Sequence, residues 1–309
     1  MNTHAAIVKY VADLSGNPRT RRSYIDSLER FERYKIKVDN DVLAGFYKAL
    51  ATDDKRYMQG TVNVRIVVLR GFLRWAEVNG LTPKTFNRDV AESRFKAVRV
   101  GHQNAYRYKT ADSRIPDIVH YFDDMDAKQG PTWERLDILR NRAIVHVLIS
   151  TGVRVSELLS LTRGMIADGS QSELEICGKR GKIRPIYLDA AACKAVMAYC
   201  RAREDECQAL FVTHRWHECK PLRTNGVYYM IKLAAKACGL SKNTSAHMFR
   251  HWLAMDMVEH DVPIETIKEV LGHERIETTM IYARSSRLRV RSQVMQYRAK
   301  TANGTNGVK

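Results

Sequence analysis

Residues 173–188 read Glu-Leu-Glu-Ile-Cys-Gly-Lys-Arg-Gly-Lys-Ile-Arg-Pro-Ile-Tyr-Leu. Glu173 to Cys177 and Ile183 to Leu188 have the length and residue types of two short strands. The Gly178 to Lys182 connection, with two glycines, is a turn, so a β-hairpin is the natural reading. On both sides the hydrophobic period is that of helices. Ile115 to Met125 and Thr132 to Ser150 precede the hairpin, the second stopping at Gly152. Ala190 to Arg203, Arg223 to Cys238, Ala246 to His260 and Pro263 to Leu271 follow it. One hairpin in a run of helices makes this region mainly α with a small β element.

The first ninety residues are helical as well. Asn17-Pro18 has the form of an N-cap followed by proline at the first helical position. Tyr24, Leu28 and Phe31 then share a face, and Asp41 is placed to cap a helix that turns Val42 and Phe46 inward. A third helix starts near Thr61. Its stripe is Val64, Val68 and Phe72 beside Leu69, Leu73 and Ala76, and it stops at Gly80 with Pro83 beyond. Its other face carries Arg65, Arg70 and Arg74. From Thr85 to Ala111 the periodicity fades while Arg94, Lys96, Arg99, Arg107 and Lys109 accumulate. The expected organisation is a helical domain over 1–86, a basic linker over 87–110 and a second domain over 111–309.

The 309 residues hold 51 Lys+Arg against 34 Asp+Glu, a net charge of +17. Residues 1–100 carry 19 basic and 11 acidic side chains, and residues 283–309 carry seven basic and none acidic. A surplus in both halves fits a long polyanion gripped by both. With 45% hydrophobic and 28% charged residues the composition is that of a globular protein. No run reaches the ~18 apolar residues of a membrane helix. Met1 to Leu14, with Asp13, lacks the layout of a signal peptide. The six cysteines form no C-x-x-C, so a disulfide framework or structural zinc is not expected. A cytoplasmic, nucleoid-associated protein is expected.

Four segments bear residues suited to phosphate chemistry. Thr151-Gly152-Val153-Arg154-Val155-Ser156-Glu157 places Arg154 at a break between helices. Ala246-His247-Met248-Phe249-Arg250-His251 puts His247 and Arg250 on one helical face. Val270-Leu271-Gly272-His273-Glu274 projects His273 from a tight turn. Thr278-Thr279-Met280-Ile281-Tyr282 brings a tyrosine nine residues later. Singly, each is more simply a surface or packing feature.

Together, and in this order, T-G-V-R-V-S-E-L-L-S-L, G-K-R-G-K-I-R-P-I-Y-L, H-M-F-R-H, L-G-H-E and T-T-M-I-Y resemble the tyrosine recombinase, or phage integrase, family. The resemblance is specific over residues 111–285. Met248-Phe249 departs from the commoner pair between His and Arg. The family implies a two-domain C-shaped DNA clamp, in which the N-terminal part is a helical core-binding domain. It implies that Arg154 and Arg250 clamp the scissile phosphate, as guanidinium forks suit phosphate oxygens. His247 would donate to that phosphate or exchange the tyrosine proton, and His273 would hydrogen-bond a non-bridging oxygen. Tyr282 would be the nucleophile and Lys179 the acid that protonates the 5′-oxygen, with Lys182 as the fallback. Glu157 would orient neighbouring Arg or Lys side chains.

Attack by the tyrosyl oxygen would give a 3′-phosphotyrosyl bond and a free 5′-hydroxyl, conserving bond energy. Fixed cations would stabilise the pentacoordinate transition state more than the ground state. The phenol would need a lowered pKa or a nearby acceptor, since a free one titrates near ~10. No cofactor or metal is expected. The implied partners are a double-stranded recombination site and further copies of the chain, a tetramer built through a basic tail helix at 284–300. Arg65, Arg70, Arg74, Lys182 and Arg223 are candidates for DNA contact. The chain resembles compact Xer-, Cre- or resolvase-like members without an arm-binding domain. Alternatives are a type IB topoisomerase-like enzyme, or a non-catalytic DNA-binding protein on the same scaffold.

Overall fold

The computed structural model describes residues 3–15, 18–53, 57–99, 112–127, 131–166, 172–178, 181–214, 219–283 and 294–295. Lys179, the whole 101–110 stretch and nearly all of the 284–300 tail lie outside these residues. The chain divides into two units, Met1–Arg107 and Tyr108–Lys309. Among the described residues no helix is long and apolar enough to cross a membrane.

The first unit contains α1 (Thr3–Asp13), α2 (Pro18–Arg33), α3 (Val42–Thr52), α4 (Gln59–Val78) and α5 (Arg88–Arg99). Leu28, Phe31, Phe46, Leu50, Leu69 and Phe72 meet in its core, each at most 1% exposed. α4 is the central helix and ends at Asn79, with Gly80 beyond it at φ +65°. Its buried stripe includes Val62, Ile66, Val68 and Phe72, whereas Val64, expected on the inner face, is half exposed.

Two other expectations for this unit need correction. Residues 88–99, read as linker, form α5, whose Ala91 and Phe95 are buried in the same core. The apolar spacing there is short and the charges dominate the pattern. Asn87 caps the helix by accepting from the Val90 amide at 3.0 Å. The basic face of α4 is also partly internal. Arg65 is buried, donates to the Asp26 carboxylate at 2.8 Å and lies over the Tyr57 ring. Arg70 makes a bidentate pair with Glu92 and lies over Phe95. Arg74 is exposed.

The second unit is helical around two small antiparallel pairs. It begins with α6 (Pro116–Asp123), α7 (Thr132–Thr151), α8 (Val155–Leu158) and a 3-10 turn at Arg163–Ile166. The hairpin follows as β1 (Glu173–Cys177) and β2 (Ile183–Tyr187), in register Glu173↔Tyr187 through Cys177↔Ile183. Leu174, Ile176 and Ile186 turn inward while their neighbours face out, the alternation that a half-buried pair requires. Then come α9 (Ala190–Ala202), β3 (Val212–Thr213) paired with β4 (Lys220–Pro221), and α10 (Thr224–Ala237). The chain continues through α11 (Ala246–Glu259), α12 (Ile264–Leu271) and α13 (Ile276–Ala283).

α7 runs through the centre, with Ile144, Val147 and Leu148 fully buried. A satellite cluster of Ala254, Val258, Ile267 and Leu271 joins α11 to α12 and takes in Tyr282 from α13. That cluster holds the last three helices together at one side of the site.

Candidate active site

Two chain breaks bring chemistry-bearing residues to one place. α7 stops at Gly152, whose φ of +60° is a left-handed cap that only glycine adopts without strain. Added bulk there would lie 2.9 Å from Leu271 and 3.1 Å from Leu253. The chain therefore turns tightly over α11, and Arg154 emerges as the N-cap of α8. α12 stops in the same way at Gly272, φ +61°. That turn delivers His273, 9% exposed, into the site.

Arg154 is held by Glu157. The carboxylate accepts from the Arg154 backbone amide at 2.9 Å and from its guanidinium at 2.8 Å. Arg154 also donates to the Gly272 carbonyl at 3.3 Å. Glu157 is 4% exposed, and its other partner is Arg184 of β2, at 3.1 Å. Burial alone would raise the Glu157 carboxyl. The Arg154 amide and guanidinium and the Arg184 charge outweigh it and keep the group ionised. Arg184 further donates to the Val270 carbonyl at 2.6 Å, and so ties the hairpin to the end of α12.

Arg250 is 2% exposed. Its Nη1 donates to the Gly152 carbonyl at 2.9 Å, while its Nη2 is buried with no hydrogen-bond partner. Burial, then Arg154 and Arg184, push its pKa down to about 10, so it stays charged at neutral pH. A buried cationic donor left unpaired is costly. An anion arriving at Nη2 would remove that cost.

The imidazoles sit beside this cation. Burial and the charges of Arg250 and Arg154 lower the pKa of His247. The same causes push His273 down to about 3. Both are therefore neutral at physiological pH and able to donate one N–H each. His273 Nδ1 is 2.8 Å from the Thr279 hydroxyl, which fixes the ring. Tyr282 is 6% exposed and its ring stacks on His273 at 6.4 Å between centroids. Its hydroxyl lies 2.6 Å from His251 Nδ1. Of the two requirements for the phenol, a lowered pKa or a nearby acceptor, this resting geometry offers the acceptor. Burial outweighs Arg250 and raises the Tyr282 pKa.

A cleft of about 740 Å³ opens over Arg154, Glu157, Lys182, Arg184 and His273. Lys182 is exposed at its rim, and Lys179 lies outside the described residues.

The sequence profile of the phage integrase family matches residues 125–289, more than half of the chain. The protein belongs to the phage integrase family, the tyrosine recombinases. Among its relatives is the tyrosine recombinase XerC of Roseiflexus sp. (strain RS-1). The two are 30% identical over 267 residues, covering 81% of this chain and 77% of that one. Its fold is similar to that of the Tn1549 transposon integrase in complex with transposon right end DNA. The TM-score is 0.73 at 13% identity, covering 97% of this chain and all of the other. It also resembles a lambda integrase tetramer bound to a Holliday junction, with TM-score 0.63, 18% identity, and coverage of 90% and 76%.

In this recombinase the residues singled out from sequence divide into two groups. Arg154, Glu157, His247, Arg250, His273 and Tyr282 lie in one neighbourhood. Arg65 and Arg70 of the first unit serve internal ion pairs instead. Arg223, the N-cap of α10, is exposed. Three residues of the site were not singled out from sequence: Arg184, His251 and Thr279. Arg184 sits in the quoted hairpin and His251 directly follows Arg250. Both could be read only as part of their motifs, because their partners are 27 and 31 residues away.

Proposed function

We propose that the protein is a site-specific DNA recombinase that cleaves and rejoins strands through a 3′-phosphotyrosyl intermediate on Tyr282. The observation that carries this reading is Arg250. It is a fully buried guanidinium with one donor anchored to backbone and the other unpaired, next to Arg154, two neutral histidines and a tyrosine. That constellation fits one phosphodiester. Arg154 and Arg250 grip its non-bridging oxygens, and His247 and His273 donate to the charge that grows as phosphorus becomes pentacoordinate. Tyr282 attacks, and Lys179, or Lys182 on the same turn, protonates the departing 5′-oxygen. The energy of the broken bond stays in the phosphotyrosyl linkage, so neither ATP nor a metal enters the reaction. The DNA is a duplex recombination site, and copies of the chain assemble on it as a tetramer through the 284–300 tail.

A nicked suicide substrate that traps the covalent intermediate tests this reading. Wild-type protein is expected to form a 3′ adduct, and Tyr282→Phe none. Two sites in one reaction are expected to exchange strands. Relaxation of supercoiled DNA without exchange would point to topoisomerase-like activity instead.

A further inference from the structure

The proposed reaction needs a place for the phenol proton; the family motif offers His247 for that exchange, and the geometry around Tyr282 offers a second imidazole. Arg250 donates to the Gly152 carbonyl through Nη1, and its unpaired Nη2 is the donor proposed for the phosphate. His273 meets Tyr282 face to face, 13° from parallel, with Nδ1 on Thr279. It is thus turned to reach an oxygen of the phosphate with its other nitrogen, not the tyrosyl hydroxyl. The imidazole that meets the hydroxyl is that of His251. Its Nδ1 is 2.6 Å from Oη, and its ring stands edge-on to the tyrosine at 5.4 Å and 62°.

We propose that His251 is the catalytic proton acceptor for Tyr282, an inference that rests on the nucleophilic role of Tyr282 given above. In the resting state Oη donates to Nδ1. As the Oη–phosphorus bond forms and the phosphorus–O5′ bond breaks, the proton passes from Oη to Nδ1, and neutral imidazole becomes imidazolium. The departing O5′ takes its proton from the hairpin lysine. In rejoining, a 5′-hydroxyl attacks the phosphotyrosine and His251 returns the proton to the tyrosyl oxygen. The site is built for this exchange. α11 places His247 one turn before His251, ring against ring at 4.3 Å, and Arg250 immediately before it. α13 brings Tyr282, and the turn after α12 brings His273. The rings of His247 and Tyr282 meet the His251 imidazole directly, and His273 is near enough to feel its charge. Tyr282 is itself held un-ionised by burial, so its attack requires an acceptor in contact.

The test uses the full chain with His251→Gln, which keeps an acceptor atom but cannot take a proton, and His251→Ala as the second variant. Melting temperature and DNA binding verify that each folds. Adduct formation on the suicide substrate at pH 7 is expected to fall about a hundredfold for both, the usual size of one general-base contribution. The H251Q rate should then climb about tenfold per pH unit from pH 7 to 9 as phenolate becomes available, while wild type changes less than threefold. A substrate with a 5′-bridging sulfur, which leaves without an acid, should not rescue H251Q. Adduct formation by H251Q within threefold of wild type overturns the proposal. So does a defect that is independent of pH, or rescue by the sulfur substrate. If instead wild type forms no adduct, or Tyr282→Phe still does, the nucleophile assignment itself fails.

Discussion

Glu157 shows how one buried carboxylate can organise a phosphate site. It pairs with two guanidiniums, fixing the direction of Arg154 and anchoring Arg184. Deleting one partner of a buried pair leaves the other charge uncompensated, typically at a cost of about 3–5 kcal/mol. Arg154 is 41% exposed and relaxes into water, whereas Arg184, 13% exposed, is left uncompensated, so at least the low end applies. Glu157→Ala is therefore expected to destabilise the protein by about 3 kcal/mol in urea unfolding. The histidines make a second prediction. His273 is pushed from its usual 6.5 to about 3, so between those values the unfolded chain binds a proton that the folded chain refuses. Stability then falls as pH drops from about 6.5 toward 3. His273→Asn should flatten that part of a melting-temperature profile, and an unchanged slope would show the proton uptake to lie elsewhere. Glu157 acts with the same sign at lower pH, its contribution being lost as pH falls through a folded value below 4.5.

At the scale of elements, the turn after α12 couples the hairpin to His273, a histidine proposed to act on the phosphate. Bulk on Gly272 would lie 2.5 Å from Arg184 Nε, and its φ is left-handed. Gly272→Ala is expected to lose more than about 1 kcal/mol of stability. It should also slow adduct formation at least tenfold by displacing Arg184 and His273. Gly181 is the control: it also has positive φ, +75°, but nothing lies within 4 Å. Gly181→Ala should show the backbone strain in stability while leaving more of the activity. α4 makes the complementary point about its arginines. Arg65→Ala is expected to lower the melting temperature, because Asp26 and Tyr57 lose their partner. Arg74→Ala should leave stability unchanged, and any effect on DNA affinity should be modest and salt-dependent.

For the whole molecule, the net charge of +17 is not one uniform surface. Some of it is structural. Arg65, Arg140 and Arg203 are buried, with carboxylates Asp26, Asp137 and Asp205 as partners. Some lies in the candidate active site, in Arg154, Arg184 and Arg250. Exposed cations outside such pairs, among them Arg74, Lys182 and Arg223, are left for phosphates along a duplex. Binding to a cognate duplex should therefore weaken about a thousandfold between 50 and 200 mM salt, as about six phosphate contacts require. A log–log plot of Kd against salt measures it, and a flat plot would contradict the electrostatic grip. Arg250→Ala should abolish cleavage on the same duplex with at most a small change in that slope.

The sequence by itself determined the fold class, most helix positions, the hairpin, and six candidate residues that the structure gathers in one neighbourhood. The reason is physical: period, caps and glycine stops are local, and Arg154, His247, Arg250, His273 and Tyr282 stand in short motifs in a fixed order. Helix α5 was hidden because charge masked its two buried positions, Ala91 and Phe95. What only the tertiary structure decided is which side chains face each other. Arg65 and Arg70 turn from DNA candidates into internal partners because Asp26 and Glu92 approach from other helices. Arg184 and His251 gain their roles because β2 meets α8 and α12, and because α11 meets α13. Those encounters depend on left-handed turns at Gly152 and Gly272 and on close packing over them, and such long-range contacts leave no periodic trace in the chain.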